Sequence, residues 1–393
     1  MIHLAEDTIS QAELINLSQW VVENNRLTKG PLCKQFENEF AKWQGSKYAV
    51  FVNSGSSANL LMAQSLLESG RLKNKKVIAP GVSWCTTVTP FIQLGFDVSL
   101  CDCDANDLGL DVEHLEELCE RENPSIIICV HVLGHPNKMD KIKQICDKYG
   151  AVLLEDSCEA LGSVYKGKKC GSIGLAGSFS FYYGHHISTI EGGMVVTDDN
   201  ELYNLMLSIR SHGWARDVED KYHDSWTNEY NIDEIRDFYT FYYSGFNLRS
   251  TDLNAFLGLS QLNKIDEYAK IRNRNYNIYA KELCDFWCQT SECDFLSHFA
   301  YGVLVQNRLE VYKHMIKNGV EVRPLICGNI GLHPFWIKKY GAQNLKNADV
   351  VHNFGLYLPN HAKLGEDEVK YICDKFKEVA LVKMPSGKDS FVV

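Results

Sequence analysis

The sequence predicts an α/β protein with a large, mostly parallel-sheet domain over residues 1–265 and a small C-terminal α/β domain over residues 266–393. Two observations predict the large domain. Short apolar runs alternate with amphipathic helical stretches between residues 48 and 154, the pattern of parallel strands joined by helical crossovers and covered on both faces. With 45% hydrophobic and 23% charged residues, a chain of 393 residues also carries apolar material for a sizeable core. A change of pattern near Tyr268 predicts the small domain.

The elements follow in order. Ser10-Gln11-Ala12-Glu13 has capping-box form and opens a helix to about Asn25. Gly30-Pro31 breaks that stretch, and a second amphipathic helix covers residues 34–43. Strands are expected at 48–52, 76–79, 98–101, 126–132 and 151–154, with helices at 58–67, 86–94, 113–121 and 138–149 between them. Short hairpin-like strands then end at 192–197. The small domain reads as a polar helix at 267–286, a strand at 300–305, a helix at 309–318, a strand at 320–325 and a last helix at 366–376, with a loose tail after Met384.

Composition excludes several classes. A net charge of −10 argues against general nucleic-acid or anionic-membrane binding. The 14 cysteines include no C-x-x-C pair, so they read as reduced thiols of a cytoplasmic protein. Met1 to Asp7 lacks the basic-then-apolar form of a signal peptide, and the longest apolar run, near Ile126 to Val132, is too short to span a bilayer.

Three constellations carry chemistry. Asn53-Ser54-Gly55-Ser56-Ser57-Ala58-Asn59 lies between a strand and a helix. Glycine allows close backbone approach and the helix end offers unpaired N–H groups, so this loop reads either as a phosphate cradle or as a capped Ser-rich turn. Glu155-Asp156 ends an apolar strand, where ligands of open parallel sheets sit, and Glu159 follows three residues on. A carboxylate there could hold a pyridinium nitrogen or simply cap a helix. His185-His186 are adjacent, a poor arrangement for one metal, and no other ligands stand at metal-binding spacing, so no metal site is expected. One imidazole suits proton transfer near neutrality, and His186 reads as packed.

These stretches together resemble the DegT/DnrJ/EryC1/StrS family of sugar-nucleotide aminotransferases and dehydratases. The resemblance covers almost the whole chain. It is carried by Leu27-Thr28-Lys29-Gly30-Pro31, the 53–59 loop, Glu155-Asp156 and the SFSFYYGHH run at 178–186. It continues through Glu191-Gly192-Gly193, Ser211-His212-Gly213-Trp214, Gly245-Phe246-Asn247-Leu248-Arg249, Arg323-Pro324 and Asn360-His361. It implies an aspartate-aminotransferase-like fold (fold type I) and a pyridoxal 5'-phosphate or pyridoxamine 5'-phosphate coenzyme. The family's aminotransferases place a lysine four residues after the phenylalanine that is Phe181 here, and that position is His185. Imidazole cannot make the lysine's covalent link to the coenzyme. The departure, with Trp84, is similar to the family's 3-dehydratase branch. Members of that branch with an iron–sulfur cluster use cysteines downstream of the histidine, and none occurs here between Cys170 and Cys284. The cluster-free members act on a GDP-linked sugar.

The resemblance then implies roles. Gly55, Ser56 and Ser180 would hold the coenzyme phosphate, and Asn247 would reach it from the partner subunit of an obligate homodimer with shared sites. Trp84 would stack on the ring, Asp156 pair with its nitrogen and Glu159 sit near its hydroxyl, while His185 moves the proton. Arg249 and Arg323 are candidates for the substrate diphosphate or for the carboxylate of L-glutamate, which would restore the amine form of the coenzyme. The expected activity is loss of the C3 hydroxyl from a nucleotide-linked 4-keto-6-deoxy hexose, GDP-4-keto-6-deoxymannose favoured. The alternatives are a CDP, UDP or dTDP sugar, an aminotransferase using another lysine, and a non-catalytic member.

Overall fold

The computed structural model describes residues 1–24 and 26–382. Its centre is a seven-stranded sheet. The strands are β1 (Tyr48–Val52), β2 (Lys76–Pro80), β3 (Asp97–Cys101), β4 (Ile126–Val130) and β5 (Val152–Asp156). After a small hairpin of β6 (Val164–Tyr165) and β7 (Lys168–Lys169) come β8 (Ala176–Ser180) and β9 (Gly193–Thr197). The order is β1-β9-β8-β5-β4-β2-β3. All pairs from β8 through β3 are parallel, and only β9 runs against its two neighbours.

Both faces of this sheet are covered. In β4 all five residues are buried. Because strand side chains alternate, Ile126 and Ile128 join one core with Val77 and Ala79, while Ile127 and Cys129 join another with Ile78. A sheet buried on both sides needs near-continuous apolar strands, which is why the sequence announces them.

Beyond it, β10 (Tyr301–Leu304), β12 (Gly355–Leu358) and β11 (Arg323–Pro324) form an antiparallel sheet in that order. Its separate core includes Tyr279, Tyr301, Val311, Leu356 and Ile372. The N-terminus reaches this unit, where Ile2 bridges Val320. Among the described residues no helix is long and apolar enough to cross a membrane.

Most expected elements are found, with instructive shifts. Ser10 caps its helix with the full reciprocal box, and the helix Gln11–Glu23 ends before Asn25, which lies outside the described residues, as does the tail after Met384. The next helix begins at Pro31, three residues earlier than expected, because proline lacks the N–H that a first turn leaves unpaired. The strand expected to reach Val132 stops at Val130, and a 3₁₀ turn, Val132–Gly134, follows with Leu133 left-handed at φ 51°. Of the strand expected at 320–325 only Arg323–Pro324 joins the antiparallel sheet, while Val320 makes the single bridge to Ile2. Helices Asn200–Arg210 and Lys346–Phe354 gave no expectation. In the former, residues 202–210 are all buried, so no polar face marks its period.

Candidate active site

The site is assembled where β5 and β8 end and the helix Gly55–Glu68 begins. Asp156 is the last residue of β5 and Ser178 its partner on β8. Consecutive residues on a strand point to opposite faces, so the two acids of the strand end part company. Glu155 turns away and accepts from the N–H groups of Gly171 (2.8 Å), Ile173 (2.6 Å) and Gly174 (2.6 Å), with His131 Nε2 at 3.0 Å. Asp156 is 4% exposed and faces the other way. Its Oδ2 accepts from Asn59 Nδ2 and from Thr87 Oγ1, both at 2.8 Å, and its Oδ1 from the Cys158 N–H at 3.2 Å. Asn59 is itself oriented by Ser178 Oγ, which donates to its Oδ1 at 2.6 Å, and by the Thr86 carbonyl at 3.1 Å.

Every partner of Asp156 is neutral; among the described residues no lysine or arginine pairs with it. A buried carboxylate without a counter-cation is costly. It suits a ligand that brings a positively charged nitrogen.

The 53–59 loop is a helix start. The helix begins at Gly55, not at Ala58 as expected, so the amides of Gly55 and Ser56 lie in its first turn, and Ser54 caps it by accepting from the Ser57 N–H at 3.1 Å. A Cβ on Gly55 would lie 2.6 Å from Ser180 Cβ and 3.0 Å from Cys158 Sγ. Ser56 Oγ donates to Thr86 Oγ1 at 2.9 Å. Gly55 thus packs directly against the Ser180 side chain, and first-turn amides beside serine hydroxyls have the character of a phosphate cradle. Gly55→Ala should overpack it, at about 1–3 kcal/mol. The expected outcome is a lower thermal midpoint and at least about tenfold weaker coenzyme binding by absorbance titration.

His185 lies in the loop after β8, and its N–H donates to the Tyr182 carbonyl at 2.9 Å. Its ring packs on Phe299 at 5.3 Å between centroids. Of its two ring nitrogens, Nδ1 is sealed from solvent without a partner. Burial first, and then the charge of Arg272, push its pKa down to about 4, against the opposing pull of Asp156. The imidazole is therefore neutral at pH 7 and able to accept a proton. His186 is packed, as expected, with Nε2 against the Ser297 carbonyl at 2.9 Å. Glu159 accepts from the Leu133 N–H at 2.8 Å, and burial raises its pKa to about 8 with a contribution from Asp156.

The other candidates stand further out. Trp84 caps the helix Cys85–Gln93 that supplies Thr86 and Thr87, and is 58% exposed, unusual for a tryptophan. Asn247 is exposed and accepts from Arg249 Nε at 3.0 Å; Arg249 also approaches His212 at 3.2 Å. Arg323 pairs with Glu321 through Nε at 3.1 Å. No hydrogen bond or ion pair among the described residues links Asn247, Arg249 or Arg323 to the group around Asp156 within this chain. The sequence reading gave no role to Thr87, Ser178, Phe299 or Arg272; of these only Ser178, inside the quoted 178–186 run, carried a signal, as did Asn59 inside the recognised loop.

Four buried histidines share the His185 pattern. Burial lowers His135 to about 3 and His361 to about 4, and holds His186 and His298 well below the usual value. Unfolded, each takes a proton near pH 6.5. The folded state resists it, so their stability is complete above that pH and is lost as pH falls toward the folded values. Glu159 and Asp107, both raised to about 8, act oppositely but are fewer. We expect the unfolding free energy from urea titrations to drop between pH 7 and pH 5, approaching about 1.4 kcal/mol per pH unit below pH 6.5 for each uncompensated histidine.

A seven-stranded, mostly parallel sheet with one reversed strand, and a cradle, buried acid and loop gathered at its strand ends, define a fold type I pyridoxal-phosphate enzyme. The chain belongs to the DegT/DnrJ/EryC1/StrS aminotransferase family, which matches residues 8–377. It is 35% identical over 392 residues to GDP-4-keto-6-deoxy-D-mannose 3-dehydratase of Yersinia pseudotuberculosis, covering 95% of this chain and 98% of that one. A solved structure of the Escherichia coli GDP-4-keto-6-deoxy-D-mannose 3-dehydratase with bound hydrated pyridoxal phosphate superposes at TM-score 0.87 and 32% identity, covering 96% and 99% of the two chains. A structure of GDP-4-keto-6-deoxymannose 3-dehydratase with a trapped pyridoxal phosphate–glutamate geminal diamine gives the same score and identity, over 96% and 100%.

Proposed function

We propose that this chain is a coenzyme-B6-dependent lyase that removes the C3 hydroxyl of a nucleotide-linked 4-keto-6-deoxy hexose, with GDP-4-keto-6-deoxymannose as the favoured substrate and L-glutamate as amine donor. One observation carries the reading. A neutral histidine, His185, occupies the loop position at which the family's aminotransferases carry lysine, within the electrostatic reach of an Asp156 whose partners are all uncharged. When bound, the coenzyme supplies an amine that joins the C4 ketone and a ring that accepts electrons.

The chain's own residues do the rest. Gly55, Ser56 and Ser180 hold the phosphate, and Asp156 keeps a proton on the ring nitrogen. Trp84 offers a flat apolar face at the mouth, and Glu159 sits beside the ring hydroxyl. His185, neutral at rest, takes a proton and, as the imidazolium that burial disfavours, delivers it to the C3 oxygen, which leaves as water. Asn247 serves the phosphate of a neighbouring subunit, which its exposure in the single chain supports. Arg249 and Arg323 receive the diphosphate or the glutamate carboxylate. The reading carries a homodimer in the cytoplasm and a division into a coenzyme-binding unit, 1–265, and a small unit, 266–393; a second core built mostly from residues 276–376 supports the small unit, although Ala300, Leu304 and Trp336 join the core of the large sheet.

The test is incubation with pyridoxal phosphate, L-glutamate and a panel of GDP, CDP, UDP and dTDP 4-keto-6-deoxy sugars. A 3-deoxy-4-keto product with ammonia, formed fastest from the GDP sugar, is expected. No 3-deoxy product from any member overturns the activity, and preference for another nucleotide overturns the substrate.

A further inference from the structure

Arg272, in the helix Ile265–Glu282, is 2% exposed and has no carboxylate partner among the described residues. A buried guanidinium usually faces an acid. This one is spent on backbone carbonyls. Nη1 donates to Asn360 O at 2.6 Å, to Phe299 O at 2.9 Å and to His298 O at 3.5 Å. Nη2 donates to His185 O at 3.3 Å. One side chain therefore ties down both the backbone of His185 and the backbone of Phe299, whose ring is the surface on which the His185 imidazole rests. It does so from the helix that leads into the small unit, and its Nε remains buried without a partner.

We propose that Arg272 is a positioning residue for His185: its fork ties the backbone of His185 to that of Phe299 and so fixes the imidazole against the Phe299 ring. The role rests on the reading of His185 as the group that moves the proton. Keeping a lone cation in the interior is otherwise hard to account for, since carbonyls alone compensate it poorly. Its position explains the choice. A cation near an imidazole disfavours imidazolium, and Asp156 across the site would favour it. Arg272 offsets that pull. Of the neighbouring titratable groups, His186 is itself held neutral and the Tyr182 ring lies 6.2 Å away. Without Arg272, the acid needed under the coenzyme would tend to charge the base beside it.

Two variants of the full-length chain separate fork from charge. Arg272→Lys keeps the charge and loses the planar fork; Arg272→Met loses both. The first readout needs no turnover: the pH midpoint for carbethoxylation of His185, followed by peptide mapping on protein without coenzyme. Arg272→Met should raise this midpoint by about one unit, and Arg272→Lys should leave it in place. The second readout is kinetic. Arg272→Lys should lower kcat roughly tenfold to a hundredfold, as expected of a slightly misplaced base, with KM for the nucleotide sugar unchanged. An unmoved midpoint in Arg272→Met, or full kcat in Arg272→Lys, overturns the proposal. Should Arg272→Met not fold, Arg272→Lys alone decides by its kcat. If wild-type protein shows no dehydration while the midpoint still shifts, the proposed activity has failed and the electrostatic coupling stands.

Discussion

His185→Asn is expected to lower kcat for dehydration by about 10²–10⁴-fold, the range supplied by a positioned acid–base group. The amide keeps a polar side chain of similar reach but cannot take up and release a proton near pH 7. The fold should tolerate the change. The loop is held by main-chain contacts, the His185 N–H to Tyr182 and the His185 carbonyl from Arg272, which the substitution leaves intact. The ring also sits where burial penalises its charged form. Coenzyme titration and the thermal midpoint should therefore stay close to wild type while 3-deoxy product and ammonia vanish together. A variant retaining a tenth of wild-type kcat would remove His185 from the reaction.

Asp156→Asn should have the next largest effect, at least about 10² in kcat/KM, as for loss of one preorganised charge interaction in a dry site. Two consequences of the geometry add up. The negative charge proposed to hold a proton on the ring nitrogen disappears. The new amide also presents either its NH₂ or its carbonyl to Asn59 Nδ2 and Thr87 Oγ1, both of which now donate to Oδ2. One orientation sets donor against donor, and the other satisfies them but points the NH₂ group toward the Cys158 N–H. Hydrogen bonds to a charged acceptor contribute about 1.5–3 kcal/mol, so coenzyme retention on dialysis should fall roughly tenfold to a hundredfold. Unchanged retention would mean that Asp156 is not the ring's partner.

Much of this was legible in the sequence because the large sheet is buried on both sides, so β1 to β5 are plain apolar runs and their order needs no tertiary information. The 53–59 loop was legible as a motif, although its helix start was set three residues late: serine and glycine at 54–57 read as turn residues until Ser54 is seen as the cap. What the sequence could not display were residues defined only by juxtaposition. Thr87 matters because its helix brings it to Asp156, 69 positions away. Phe299 and Arg272 reach His185 from the far end of the chain, and nothing in their local context sets them apart from ordinary core and surface residues. The helix Asn200–Arg210 was hidden for a different reason, since full burial erases the polar stripe on which helical periodicity depends.

The parting of Glu155 and Asp156 at one strand end separates two kinds of injury that are otherwise hard to tell apart. Glu155 fastens the turn at 171–174, against which β8 is laid so closely that a methyl on Gly177 would meet the Gly171 carbonyl at 2.1 Å. A lesion at 155 is thus borne by the empty protein, and saturating vitamin cannot rescue it, whereas a lesion at 156 falls mainly on the loaded one. Neighbouring codons would give opposite answers to supplementation, the first unresponsive and the second partly restored when coenzyme is in excess.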